Sequence, residues 1–261
     1  MTATLSPADL AKKAAADKAV EFVQDGMRLG LGTGSTAFFM VKRLAERVRA
    51  EGLRVVGVPT SSRTAAQARE EGLRVVTLDE AKWLDLTIDG ADEFDPELRL
   101  IKGGGGAHLQ EKVVAAASDR MIVISDPGKR VTRLGAFPLP VEVLQFGWQS
   151  SCRHVETALA DLGYAGVRLS QRMAGDKPFV SDEGNFILDL HMGVITDPAA
   201  LAVALNQIPG LVENGLFINM SDLVIVGHTD GSTELIEAAP GTILAMQEVR
   251  ERKDQPFADM T

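Results

Sequence analysis

Between Met27 and Ser125, short apolar runs alternate with segments of helical periodicity, and glycine-rich turns lie at the seams. The runs Met27–Leu31, Leu53–Val58, Leu73–Leu78, Leu86–Asp89 and Met121–Ser125 read as strands, and Leu98–Ile101 as a further short one. Ala8–Val23, Ala37–Glu51, Thr64–Glu71 and Leu109–Ser118 read as helices, with a turn or short helix at Ala81–Leu84. Strands that are apolar throughout are buried on both faces, and strands alternating with helices build βαβ units. The pattern predicts an α/β domain with a mostly parallel, Rossmann-like sheet flanked by helices.

The pattern changes at Phe137-Pro-Leu-Pro140. Val141–Leu144, Ser150–Leu162, Val167–Gln171, Phe179–Asp182 with Phe186–Leu190, Pro198–Gln207 and Val212–Phe217 follow in the order βαββαβ, a ferredoxin-like unit. Asp182-Glu-Gly-Asn185 is its hairpin turn. Leu223–Val226 reads as a strand returning to the first sheet. The expected organisation is a large domain of residues 1–137 and 220–261 with a small α+β domain, 138–219, inserted as a lid or oligomerisation unit. The tail after about Glu237 is mixed and charged, a terminal helix or a loose end.

The 261 residues carry 36 acidic and 27 basic side chains, a net charge of −9, which argues against a nucleic-acid partner. No apolar run approaches the ~18 residues of a membrane span. Met1–Asp17 lacks the apolar core of a signal peptide. The single cysteine, Cys152, cannot form an internal disulfide, and a reducing cytoplasm fits this usage.

Three motifs carry chemistry. Gly32-Thr33-Gly34-Ser35-Thr36 joins a strand to a helix, where backbone N–H groups and a helix N-terminus converge on one spot. It lacks the lysine of a Walker A loop. It matches the weaker dinucleotide fingerprint through Ala37, but the next strand ends in Val58-Pro59-Thr60-Ser61, without the acid a ribose would need. A small phosphate is the favoured ligand, against a plain βα turn. Asp89-Gly90-Ala91-Asp92-Glu93 follows a strand at the end where α/β sheets bind ligands, although an Asx turn uses the same residues. Lys102-Gly103-Gly104-Gly105-Gly106 costs chain entropy and supplies no packing, so it marks a place where backbone approaches something closely. The following helix brings Glu111, which also reads as a favourable charge on the helix dipole. His108 is expected at the surface or in a cap, and Met173, Met192, Cys152, Trp83 and Trp148 in the core. No histidine lies near the aspartates to suggest a metal site.

In this order, and with Ser125-Asp-Pro-Gly-Lys129, Phe137-Pro-Leu-Pro-Val-Glu142, Asp182-Glu-Gly-Asn-Phe-Ile-Leu-Asp189 and Ile208–Phe217, these motifs closely resemble ribose-5-phosphate isomerase, type A. The resemblance covers roughly residues 8–235. It implies interconversion of ribose 5-phosphate and ribulose 5-phosphate in the non-oxidative pentose phosphate pathway, by a cytoplasmic, metal-free homo-oligomer, a dimer or tetramer, without cofactor. Carried over, Thr33, Gly34, Ser35 and Thr36 are the substrate-binding turn. Asp89, Gly90, Ala91, Asp92, Lys102, Gly103, Gly104 and Gly105 bind the sugar, Glu111 is the proton acceptor, and Lys129 is a further substrate-binding lysine. Either Lys12 or Lys13 matches an N-terminal lysine of the family.

Aldose–ketose exchange needs a base, positive charge near an oxygen, and a way to open the ring. Glu111 suits the base, Lys102 and the glycine N–H groups the oxyanion, and Asp89 the ring-opening proton. Asp92 is expected to hold hydroxyls. Two rivals use similar folds. A sugar-phosphate sensor of a transcription regulator predicts a DNA-binding helix-turn-helix, for which residues 1–25 leave too little room. An acyl-transferring enzyme would use a glutamate as nucleophile and would not exchange substrate protons with water.

Overall fold

A computed structural model describes residues 5–239. The chain runs through α1 (Pro7–Val20), β1 (Arg28–Leu31), α2 (Ser35–Glu51), β2 (Val56–Pro59), α3 (Ser62–Glu70), α4 (Leu78–Ala81) and β3 (Leu86–Gly90). Next come β4 (Glu93–Phe94), β5 (Leu100–Ile101), α5 (His108–Ala116), β6 (Met121–Ser125), a 3-10 turn at Pro127–Lys129, and β7 (Leu139–Val143). Then follow α6 (Trp148–Asp161), β8 (Arg168–Gln171), β9 (Met173–Ala174), β10 (Lys177–Pro178), β11 (Phe186–His191) and α7 (Pro198–Asn206). The last are β12 (Leu211–Asn214), β13 (Leu216–Phe217), β14 (Leu223–Gly227) and β15 (Thr233–Glu237).

Two compact units emerge, one of Met1–Gly90, Val113–Pro127 and Asn219–Thr261, the other of Ala91–Lys112 and Gly128–Ile218. The first holds a six-stranded sheet in the order β15-β14-β6-β3-β1-β2. All its strands are parallel except β15, which runs against β14. β6 and β14 are buried at every residue, as uniform apolar runs require. Ala15, Ala16 and Ala19 of α1 and Met40, Val41 and Leu44 of α2 complete that core. The chain goes outward from β1 to β2, then returns to β3 on the other side of β1. The order therefore reverses between β1 and β3, the place where such sheets bind ligands beyond their carboxyl ends.

The Leu73–Leu78 strand is not formed. Val75 makes only an isolated bridge to Gly57. Thr77 and Glu80 close a capping box that turns the chain into α4 at Leu78.

The second unit contains βαββαβ as β7-α6-β8-β11-α7-β12, in the sheet order β12-β7-β11-β8 with every neighbouring pair antiparallel. Its apolar core joins Leu139, Val141, Val155, Leu188, Leu190 and Leu201. This unit is larger than the expected 138–219, because Ala91–Lys112 and Gly128–Phe137 belong to it. β4, β5 and β13 form a separate three-stranded sheet. The buried Glu93 carboxylate accepts N–H bonds from Gly135 (2.7 Å) and Phe137 (2.5 Å), which ties the two stretches together. A composition break cannot report such bonds.

The single strand expected at Val212–Phe217 is divided. Gly215 lets β12 pair with β7 and β13 with β5, and a Cβ there would lie 2.3 Å from Lys102 O. Ser181 N–H bonds to Asn185 O across the expected Asp182–Asn185 turn (2.9 Å). Met173 is exposed on β9 rather than in the core. Trp83, Trp148 and Cys152 are half-buried, and Met192 is buried. The tail beyond Glu237 lies outside the described residues, save Ala238 and Ala239. Among the described residues no helix is long and apolar enough to cross a membrane.

Candidate active site

In the first unit, Leu31 pairs with Ile88, so Gly32 stands beside Asp89. A Cβ on Gly32 would come within 2.1 Å of Asp89 Oδ1. Asp89 is wholly buried, and Oδ1 accepts N–H bonds from Thr33 (3.0 Å) and Gly90 (2.7 Å). The Thr33 hydroxyl points inward to Thr60 Oγ1 (2.8 Å), Ser61 Oγ (2.8 Å) and Thr64 Oγ1 (3.1 Å). The hydroxyls that head α2 are those of Ser35, which is exposed, and Thr36, which is half-buried. Gly34 at the N-cap supplies no capping side chain, and the first turn of α2 has no acidic residue. Among the described residues no side chain caps this helix end, and the N–H groups and positive dipole end of a long helix favour a nearby anion.

Thr60, Ser61 and Thr64 were missed in the sequence, where Thr60 and Ser61 registered only as lacking a carboxylate. Hydroxyl residues directly after β2, the parallel neighbour of β1, were the available signal.

In the second unit, Asp92 Oδ2 accepts the Gly104 N–H (2.7 Å), so this aspartate braces the glycine run. Gly103 has φ of 107°, and a Cβ there would lie 2.7 Å from His108 Nδ1; both facts demand glycine. Lys102 follows β5 and donates its N–H to Gly215 O (2.9 Å). Its Nζ lies 3.2 Å from Glu111 Oε2 in the first turn of α5, and both residues are buried. The ammonium also sits 5.4 Å from the centroid of the Phe217 ring. Gly104 and Gly105 are exposed, and Ala91 is half-buried. Lys129 ends the 3-10 turn, half-buried, with Nζ 6.0 Å from the Phe137 ring.

His108 is fully buried, not a surface or cap residue. Its Nε2 lies 3.4 Å from Glu213 O, and Nδ1 has no hydrogen-bond partner among the described residues. Burial, and then the nearby Lys112 ammonium, push its pKa down to about 3, so the ring is neutral. Glu142 Oε2 lies 3.9 Å from His108 Nε2, and burial pushes this carboxyl up from its ordinary value. On α1, Lys12 is half-buried with Nζ 3.8 Å from Asp9, and Lys13 pairs with Asp17 at the surface.

Two clusters result. Gly32, Thr33, Asp89 and Gly90 meet in the first unit; Asp92, Lys102, Gly103, Gly104 and Glu111 meet in the second. A carboxylate beside an ammonium, both withdrawn from water, can move a proton while the cation steadies a developing oxyanion. Among the described residues no three His, Cys, Asp or Glu side chains cluster as metal ligands.

A family model described as ribose 5-phosphate isomerase A (phosphoriboisomerase A) matches residues 56–231. Ribose-5-phosphate isomerase A of Cereibacter sphaeroides is 60% identical over 260 residues, covering 100% of this chain and 99% of that one. The chain belongs to the ribose 5-phosphate isomerase A family. It is an aldose–ketose isomerase that interconverts D-ribose 5-phosphate and D-ribulose 5-phosphate.

Solved members of the family share the fold of this isomerase. The Methanocaldococcus jannaschii enzyme is 40% identical, with a TM-score of 0.79 over 89% of this chain and 100% of its own. The Plasmodium falciparum enzyme is 35% identical, with a TM-score of 0.83 over 88% and 98%. A third D-ribose-5-phosphate isomerase, 36% identical with a TM-score of 0.81 over 89% and 100%, is in complex with phospho-erythronic acid.

Proposed function

We propose that Glu111 is the base of this isomerase, taking the proton from C2 of the open-chain aldose and returning it to C1. The observation that carries the reading is the buried ion pair with Lys102, 3.2 Å away. As the C2–H bond breaks, its electron pair forms the C1–C2 double bond and the carbonyl oxygen O1 becomes an enediolate oxygen; the O2–H proton then passes to O1, the C2 carbonyl forms, and the C1–C2 double-bond pair takes the proton back from Glu111 at C1. Lys102 and the glycine-run N–H groups stabilise that charge where it develops. Asp89 passes the ring-opening proton between the ring oxygen and the anomeric hydroxyl, and Asp92 contacts sugar hydroxyls while bracing Gly104. The head of α2, with Ser35 and Thr36, holds the phosphate, and Lys129 is a further substrate-binding lysine. Thr33 acts through its N–H bond to Asp89 and its inward hydroxyl. The ligand of one solved relative supports this, since phospho-erythronic acid joins a phosphate to a planar carboxylate resembling an enediolate.

No step in this scheme uses a metal or redox cofactor, and full activity in chelator is the expected result. The same reading takes the enzyme as a cytoplasmic homo-oligomer. Phe146, 92% exposed, and the neighbouring exposed Leu144 support self-association. A solution mass of one chain by light scattering would count against it.

The decisive variant is Glu111→Gln, which keeps size and hydrogen bonding but removes the basic oxygen. It lowers kcat by about 10²–10⁴-fold and leaves KM little changed. Exchange of the C2 proton with solvent is lost in parallel. Near-normal kcat in this variant would move the assignment to another carboxylate, Asp89 first.

A further inference from the structure

Arg172 lies in the link between β8 and β9, and its backbone N–H bonds to Ile187 O (2.8 Å). One side of its guanidinium grips Asp189 of β11, Nε to Oδ2 at 3.0 Å and Nη2 to Oδ1. From the other side, Nη1 donates to Gly103 O at 2.7 Å and Gly104 O at 3.2 Å. The side chain is only 14% exposed.

A glycine run has no side chains to hold its peptide planes; here the Gly106 N–H closes a turn on Gly103 O (2.9 Å), and the rest of the hold comes from outside the run. In a trans peptide the C=O and the following N–H point in opposite directions. The Gly103–Gly104 peptide is therefore held at both ends, its carbonyl by Arg172 and its N–H by Asp92 Oδ2. In the next peptide, Gly104 O points to Arg172, so the Gly105 N–H points away from the guanidinium, and Gly105 itself is exposed. We propose that Arg172 is a positioning residue for the isomerisation, aiming the Gly105 N–H at the oxyanion by holding the Gly103 and Gly104 carbonyls. It does not touch the substrate. Asp189 orients the guanidinium by fork-to-fork pairing, a geometry that lysine cannot copy. The inference rests on the reading that the glycine run faces the enediolate.

The test is Arg172→Ala with and without free guanidinium at non-denaturing concentration. A misaimed donor costs kcat about 10–100-fold, with KM within about threefold and affinity for phospho-erythronic acid falling by the same factor as kcat/KM. Added guanidinium restores about tenfold of the lost kcat, which repair of a merely loosened fold would not do. Arg172→Lys remains slow. A kcat in Arg172→Ala close to that of the unsubstituted enzyme overturns the proposal, as does a loss that guanidinium leaves untouched. If Arg172→Ala fails to fold, Asp189→Asn carries the test: kcat falls with KM held, and an unchanged kcat overturns the proposal. The two readings fail separately. A Glu111→Gln enzyme that still exchanges the C2 proton removes the base assignment and leaves guanidinium rescue standing. An inert Glu111→Gln beside an unrescued Arg172→Ala removes only the role of Arg172.

Discussion

Lys102 Nζ approaches Glu111 Oε2 to 3.2 Å with the two side chains only 2% and 5% exposed. Each charge is out of water and each compensates the other. Removing one partner strips the other buried charge of this compensation, whereas removing both leaves no such mismatch. Lys102→Met is therefore expected to lose about 3–5 kcal/mol in urea unfolding. The double variant Lys102→Met/Glu111→Gln recovers most of that stability and none of the activity. A single variant as stable as its parent would show that the pair is not coupled.

The open head of α2 sets stability against binding. Ser35→Glu places a carboxylate at an exposed first-turn position, where it favours the helix by about 0.3–1 kcal/mol. Under the proposed assignment the same charge repels the substrate phosphate. The expected outcome is an unchanged or raised melting temperature with KM up by about tenfold or more, since 1.4 kcal/mol is a factor of ten. An unaltered KM would place the phosphate elsewhere.

Gly32 has no room for a methyl group. A Cβ would lie 2.1 Å from Asp89 Oδ1 and 2.5 Å from Asp89 Cα, and a backbone contact is not relieved by rotating a side chain. Gly32→Ala must push β1 from β3, at a cost of about 1–3 kcal/mol in urea unfolding. It also disturbs the Asp89 bond to Thr33 N–H, so kcat/KM falls with stability. A Gly32→Ala protein with parental activity would refute this account of the turn.

The buried His108 makes the fold sensitive to acid. The unfolded histidine binds its proton near pH 6.5 and the folded one near pH 3. Between those values protons go preferentially to the unfolded chain. The stability owed to neutral His108 is full above about pH 6.5 and drains as the pH falls toward 3. Glu142, whose pKa is raised by burial, acts the other way: its contribution is present at low pH and lost as pH rises through its folded value. His108→Leu removes the acid-side loss. From about pH 7.5 to about pH 5 the parent should lose about 2 kcal/mol more than the variant in urea unfolding. Equal losses would mean that His108 is protonated in the folded protein.

The parallel sheet was legible because β1, β3, β6 and β14 are short apolar runs that burial on both faces demands, each bounded by turn residues. Leu73–Leu78 has the same composition, but Thr77 and Glu80 close a helix cap inside it, and a local hydrogen-bond pair outweighed a strand preference. His108 looked like a first-turn surface residue, yet its ring reaches the Glu213 carbonyl 105 residues away, and Gly103 leaves it space. Nothing near Arg172 in the chain hints at Gly103, Gly104 or Asp189.

The candidate groups are visible in the chain as written: the hydroxyl-rich turn, the paired aspartates, the glycine run and the Lys102 and Glu111 that flank it. Their order along the chain is a pattern that spacing preserves. Which of them meet follows from folding. Thr33 turned its hydroxyl inward, Asp92 and Arg172 took the two ends of one glycine peptide, and Glu93 drew residues 91–112 and 128–137 into the second unit. Hydrogen bonds and ion pairs act over about 3 Å, and strand register, not separation along the chain, brings atoms that close.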